Sequence, residues 1–142
     1  MPGIHTFLKP LQRSTKRNYP FIPVEENPIN KLTVILQDNA ACLYITHYEG
    51  YPFSLWQTNN QIILLEGIIY NQSIDKIENQ LKAISQCFYD DGDYNKFVKA
   101  FVEAADGDFI VEIWDKHTNR LLLFNNYWGR LSLYYYSRNG MC

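Results

Sequence analysis

At 142 residues the chain is sized for one domain, 1–142, long enough to bury a core without disulfide or metal staples. A formal net charge of -2 gives no electrostatic reason for nucleic acid or an anionic membrane surface as partner, and 46% hydrophobic residues argue against a largely disordered chain. Three cysteines, Cys42, Cys87 and Cys142, are odd in number and widely spaced, fit neither a disulfide framework nor a zinc site, and read as buried free thiols.

No signal-peptide core and no apolar run of membrane-spanning length is visible, so a soluble, cytoplasmic protein is expected. The first thirty residues, rich in proline (Pro10, Pro20, Pro23, Pro28), read as an extended or looped entry segment, and the basic stretch Lys9 to Arg17 within it as a solvated loop. Leu32–Leu36 and Cys42–Thr46 are β-type runs joined across Asp38-Asn39, which predicts a hairpin. Turn-forming Gly50-Tyr51-Pro52 and polar Thr58-Asn59-Asn60 bracket Phe53–Trp56. The nearly continuous apolar run Gln61–Tyr70 predicts a strand buried on both faces. Ser73 is placed to cap a helix with an apolar stripe Ile74, Ile77, Leu81, Ile84, interrupted at Asp90-Asp91-Gly92. Asp93 is placed to cap a second helix with stripe Phe97, Val98, Phe101, Val102, closing near Gly107. Strands Phe109–Trp114, Leu121–Phe124 and Leu133–Tyr136 follow. Strands, two helices, then strands again make an α+β chain with mainly antiparallel sheet.

Two stretches resemble the N-terminal glutaminase domain of asparagine-synthetase-like enzymes, the class II glutamine amidotransferases of the N-terminal-nucleophile hydrolase fold. Leu65-Glu66-Gly67-Ile68-Ile69-Tyr70-Asn71 is similar to the family's Phe-Asn-Gly-Glu-Ile-Tyr-Asn. Asp106-Gly107-Asp108-Phe109 through Trp114-Asp115 resembles Asp-Gly-x-Phe-Ala-Phe-x-x-Trp-Asp. Leu121-Leu122-Leu123, Gly129 and Leu133-Tyr134-Tyr135 then resemble a Leu-rich strand and Gly-x-x-Pro-Leu-Tyr-Tyr. The opening Met1-Pro2-Gly3-Ile4 reads like Met-Cys-Gly-Ile with one residue changed. The resemblance covers most of the chain from about Leu32, plus the first four residues. It implies a shortened αββα four-layer sandwich, with the helices 73–87 and 93–105 together on one outer face.

The resemblance also implies a degenerate active site. In the family, removal of Met1 exposes a cysteine that attacks glutamine's side-chain amide while its own α-amino group serves as base, and Pro2 has no side-chain nucleophile to replace it. Residue-by-residue matching places Glu66 on the asparagine whose side chain stabilises the oxyanion, and Gly67 on the glycine whose amide is the second donor. A carboxylate has no N–H for a developing oxyanion and repels it when ionised. Ile68 replaces the glutamate that binds the substrate's α-ammonium, and Cys42 best matches the arginine that pairs with its carboxylate. The family's aspartate near the second helix corresponds to Asp90, Asp91 or Asp93. Neither catalysis nor a cofactor is expected. No metal is expected either, since His5, His47 and His117 lack ligand spacing and the acidic group lacks the rest of a calcium loop.

Relatives with such a domain, the β-lactam synthetases and lasso-peptide cyclases, use an attached ATP-dependent synthetase domain to join an amine already present on the substrate. The resemblance therefore implies an ATP-dependent synthetase domain or subunit as partner, in peptide or natural-product biosynthesis. The family's Ser-Gly-Gly-x-Asp-Ser pyrophosphate loop does not occur in the sequence, which points to a fragment or a separate partner polypeptide. Two other readings stand beside this one. An enzyme would use the Pro2 secondary amine, after loss of Met1, as base or nucleophile in the manner of tautomerases. A stand-alone binding or assembly module would use the aromatic run Leu131–Tyr136 as an open edge, inviting a homodimer.

Overall fold

The computed structural model describes residues 3–8, 31–37 and 41–133, which fall into two compact units, one reaching to Tyr51 and the other starting at Pro52. The first holds β1 (Gly3–Leu8), β2 (Lys31–Gln37) and β3 (Ala41–His47) in an antiparallel sheet of order β1-β3-β2. The expected hairpin is therefore present as β2 and β3, with a register shift between Val34 and Leu36, while its turn at Asp38-Asn39 lies outside the described residues. Central β3 buries Leu43, Ile45 and Thr46. Within the segment read as extended or looped, Gly3–Leu8 is a strand paired along its whole length with β3, from Gly3 opposite Thr46 to Leu8 opposite Ala41. The remainder of that segment, including Lys9 to Arg17, lies outside the described residues.

The second unit is a four-stranded antiparallel sheet, order β4-β5-β6-β7, with two helices. Its strands are β4 (Phe53–Gln57), β5 (Gln61–Ile69), β6 (Gly107–Asp115) and β7 (Arg120–Asn125). β5 and β6 pair over nine positions, Gln61 opposite Asp115 to Ile69 opposite Gly107. As the apolar run predicts, β5 is buried on both faces: Ile63, Leu65 and Ile69 on one, Ile62 and Leu64 on the other. Phe109, Ile113 and Trp114 of β6 are core residues. The turn Lys116–Asn119 joins β6 to β7, with Asn119 at φ 53°.

Helix α1 (Ile74–Tyr89) begins where expected, the Ser73 hydroxyl accepting the Lys76 amide at 3.4 Å. Its stripe Ile77, Leu81, Ile84, Phe88 is buried against Ile63, Leu65, Phe109, Val111 and Ile113. Burying one such side chain contributes roughly 1.5–3 kcal/mol. Ile74, expected in the stripe, is 51% exposed, because the buried row begins a turn later at Ile77. Helix α2 (Tyr94–Ala104) packs on the same face of the sheet, so the two helices do lie together. Phe101 anchors it, edge-on to Phe109 and Phe124 with ring centroids 5.7 Å and 6.1 Å away. Three details of α2 differ from expectation. Phe97 is exposed, because Tyr94 fills the stripe a turn before Val98 and puts Phe97 on its flank. Asp93 occupies the cap position without a side-chain cap bond. Gly107 opens β6 rather than closing the helix, whose end is Ala104 with Ala105 extended.

Cys87 is a free thiol, half-buried rather than buried, while the Cys142 residue and the Cys42 side chain lie outside the described residues. Leu131–Leu133 carry no strand, and the rest of the expected C-terminal strand, to Tyr136, is likewise outside them. No helix among the described residues is long and apolar enough to cross a membrane.

Candidate functional site

Pairing of β5 with β6 sets the two motifs of the sequence side by side, Gly67 opposite Phe109, Ile68 opposite Asp108 and Ile69 opposite Gly107. The glycines permit this. Gly67 has φ +96°, a conformation that strains any residue with a Cβ, and a Cβ there would collide with the Asp108 carbonyl. A Cβ on Gly107 would collide with the Ile68 carbonyl and stand 2.7 Å from the Ile69 Cα. At Gly107 the backbone thus comes into close approach with β5.

At this place three candidate residues follow one another. Glu66 is buried, 6% exposed, on the sheet face that the helices do not cover. The Gly67 amide donates a 2.9 Å hydrogen bond to the Pro52 carbonyl, adding a rung to the β4–β5 ladder beyond Phe53 opposite Glu66. Ile68 is 47% exposed, an apolar side chain in solvent where core packing does not require it. As chemistry the segment offers a carboxylate, a peptide N–H already engaged by a carbonyl, and an aliphatic group. Nothing in that set polarises a carbonyl or steadies an oxyanion.

Of the remaining candidates, Pro2 lies outside the described residues, and Cys42 sits in β3 of the first unit, opposite Phe7 and Gln37. The three aspartates differ in engagement. Asp90 accepts from the Gln86 side chain at 2.8 Å, and Asp91 pairs with Arg120 at 2.6 Å. Asp93 is exposed at the start of α2 and makes no cap bond.

Three polar residues that sequence reading assigned no role hold this end of the sheet or share its face. Asn71 is a clamp: its Nδ2 donates to the Ala104 carbonyl at 2.9 Å and its Oδ1 accepts the Asp106 amide at 3.0 Å, joining the end of α2 to the approach to β6. Asn126, 4% exposed, donates through Nδ2 to the Gly107 carbonyl at 3.0 Å, and its amide bonds the Phe109 carbonyl at 3.1 Å. Glu112, 6% exposed, is a second buried carboxylate on the face of Glu66, whose register partner Ile110 lies two residues before it. A charged residue inside the apolar run Phe109–Trp114 was the available signal for it. Asn126 gave none, and Asn71 only its place at the end of the first motif, because their partners are backbone groups distant in sequence.

Compared with known proteins, residues 43–142 match the model of a family described as a glutamine amidotransferase domain. No curated protein and no solved structure matches the chain significantly.

Proposed function

The chain belongs to the glutamine amidotransferase domain family, and from that premise we propose that it is a non-catalytic member, which does not hydrolyse glutamine. We place it with the asparagine-synthetase-like branch, as the first domain or separate partner of an ATP-dependent amide-forming enzyme of the β-lactam-synthetase or lasso-peptide-cyclase type, working in the cytoplasm. The finer fold assignment belongs to the same proposal: a single αββα sandwich of the N-terminal-nucleophile hydrolase kind. It is supported by the antiparallel β4-β5-β6-β7 order, by burial of both faces of β5 and by two helices on one face.

The observation that carries the loss of catalysis is the state of the two oxyanion positions. The residue matched to the asparagine donor is the buried acid Glu66, and the amide matched to the second donor is bonded to the Pro52 carbonyl. Removal of a single oxyanion donor typically costs about a hundred- to a thousand-fold in rate. Pro2 at the nucleophile position and Ile68 at the α-ammonium position point the same way.

Coupled detection of ammonia from L-glutamine tests the proposal on the wild type, Pro2→Cys and the triple variant Pro2→Cys, Glu66→Asn, Ile68→Glu. Wild type and single variant are expected to be silent, because a thiolate supplies only the attack. Turnover, where it is recovered at all, is expected only in the triple variant. Clear activity in the wild type would overturn the proposal, and activity in Pro2→Cys alone would show that Glu66 does not face the oxyanion.

A further inference from the structure

The turn after β7 is built to be stiff. The Asn126 side chain is buried and bonded to Gly107, its Oδ1 accepts the Arg130 amide at 3.1 Å, and its carbonyl accepts the Gly129 amide at 3.0 Å. Gly129 takes φ +60°, and the Asn125 side chain donates to the Leu131 carbonyl at 3.2 Å. Such pinning would ordinarily serve to bury side chains. Here it holds two large aromatics in solvent: Tyr127 is 73% and Trp128 75% exposed, their rings edge to face at 5.2 Å. Beside them opens a cleft of about 410 Å³, lined by Asn71, Val102, Glu103, Asp106, Trp128 and Arg130 among others. Tyr70, whose amide bonds the Asp106 carbonyl at 2.7 Å, is a further aromatic left 63% exposed.

The cleft is lined by two carboxylates, Glu103 and Asp106, against one cation, Arg130. Arg130 is committed to Asp108 at 3.2 Å. Among the described residues Glu103 is met only by Lys99, at 3.8 Å on the exposed surface of α2, and the Asp106 carboxylate makes no hydrogen bond or ion pair. Helix α2 ends at the cleft with its Ala104 carbonyl taken by the neutral Asn71 side chain and no basic residue in its last turn to offset its peptide dipoles. Carboxylates and electron-rich ring faces together select a cation.

We propose that this cleft receives an arginine or lysine side chain presented by a partner protein. The charge complementarity names the side chain, and the aromatics name the kind of bearer. A small amine in the cleft would meet only the sides of Tyr127 and Trp128 that line it, whereas a protein surface can also cover the rest of these largely exposed rings. Exposed, rigidly held Trp and Tyr are the residue types that dominate protein interfaces. None of the residues matched to the glutamine site lines the cleft, so the proposal stands whether or not glutamine hydrolysis is lost.

The test uses the full chain and an unstructured peptide of glycine, serine and spaced arginines, with a twin in which every arginine is citrulline. Binding is followed by calorimetry and by tryptophan emission. The arginine peptide is expected to bind, more weakly as salt is raised, and the uncharged twin not to bind. Asp106→Asn and Trp128→Ala, both at exposed positions and checked for fold by circular dichroism, are each expected to weaken binding about fivefold. Absence of saturable binding, equal affinity for the citrulline twin, or full affinity in both variants would overturn the proposal. Free argininamide binding as tightly as the peptide would also overturn it, by making the cleft a small-molecule pocket.

Discussion

Asp115 shows how much one side chain organises. It is fully buried at the end of β6 and accepts hydrogen bonds from the amides of His117 and Thr118, at 2.9 Å and 3.3 Å, and from the Thr118 hydroxyl, with Arg120 3.7 Å away. Burial by itself pushes its carboxyl up, but the bonds from Thr118 and His117 and the charge of Arg120 prevail and hold it below the ordinary carboxylate range. A group depressed in the folded state stabilises fully above its unfolded value, about 3.9 for aspartate, and ceases to as pH falls through the lower folded value. Asp115→Asn is therefore expected to lower the unfolding free energy by about 1–3 kcal/mol at neutral pH. The gap from wild type should close as pH drops below about 4. Urea denaturation at pH 7, 5 and 3 checks this, and a gap unchanged at pH 3 would assign the effect to hydrogen-bond geometry rather than charge.

Elements were legible in the sequence where their signals are local. The Ser73 cap with the Ile77, Leu81, Ile84 spacing gives α1, and an unbroken aliphatic run gives β5 with both faces buried. The β1 strand was not legible, because Gly3–Leu8 becomes a strand by pairing with β3, a partner no local window contains. For the same reason the sequence could match Gly67 to an oxyanion donor but not reveal that Pro52 holds its amide. Between elements, Arg120 is the main polar tie from β7 to the α1–α2 turn. It pairs with Asp91, donates to the Phe88 carbonyl at 2.7 Å and stacks 4.7 Å over the Phe88 ring. Lysine has one point charge and no planar fork for these simultaneous contacts. Arg120→Lys is expected to lower the urea midpoint and to speed amide exchange at Asp90, Asp91 and Gly92, leaving Leu64 and Leu65 in β5 unchanged. Uniformly faster exchange across both groups would argue against a local tie.

For the molecule as a whole, family membership and the proposed loss of glutamine recognition are separate matters. A ligand that binds only the native state raises stability as its concentration passes its dissociation constant. On the proposed matching of Ile68 to the α-ammonium position and Cys42 to the arginine position, L-glutamine is expected to leave the melting temperature unchanged up to roughly 10 mM. Differential scanning fluorimetry with L-glutamine, and D-glutamine as control, measures this. A rise specific to the L form would show that recognition survives without hydrolysis. The rung between Gly67 and Pro52 bears on such a case as well. A substrate oxygen seeking that amide must displace a carbonyl tethered on the neighbouring strand, present at an effective concentration set by the fold rather than by the solution. If Gly67 is the oxyanion donor that its match proposes, the domain thus carries its own competitor for the anion position. Raising glutamine cannot outrun that competitor unless the end of β4 is first peeled away from β5.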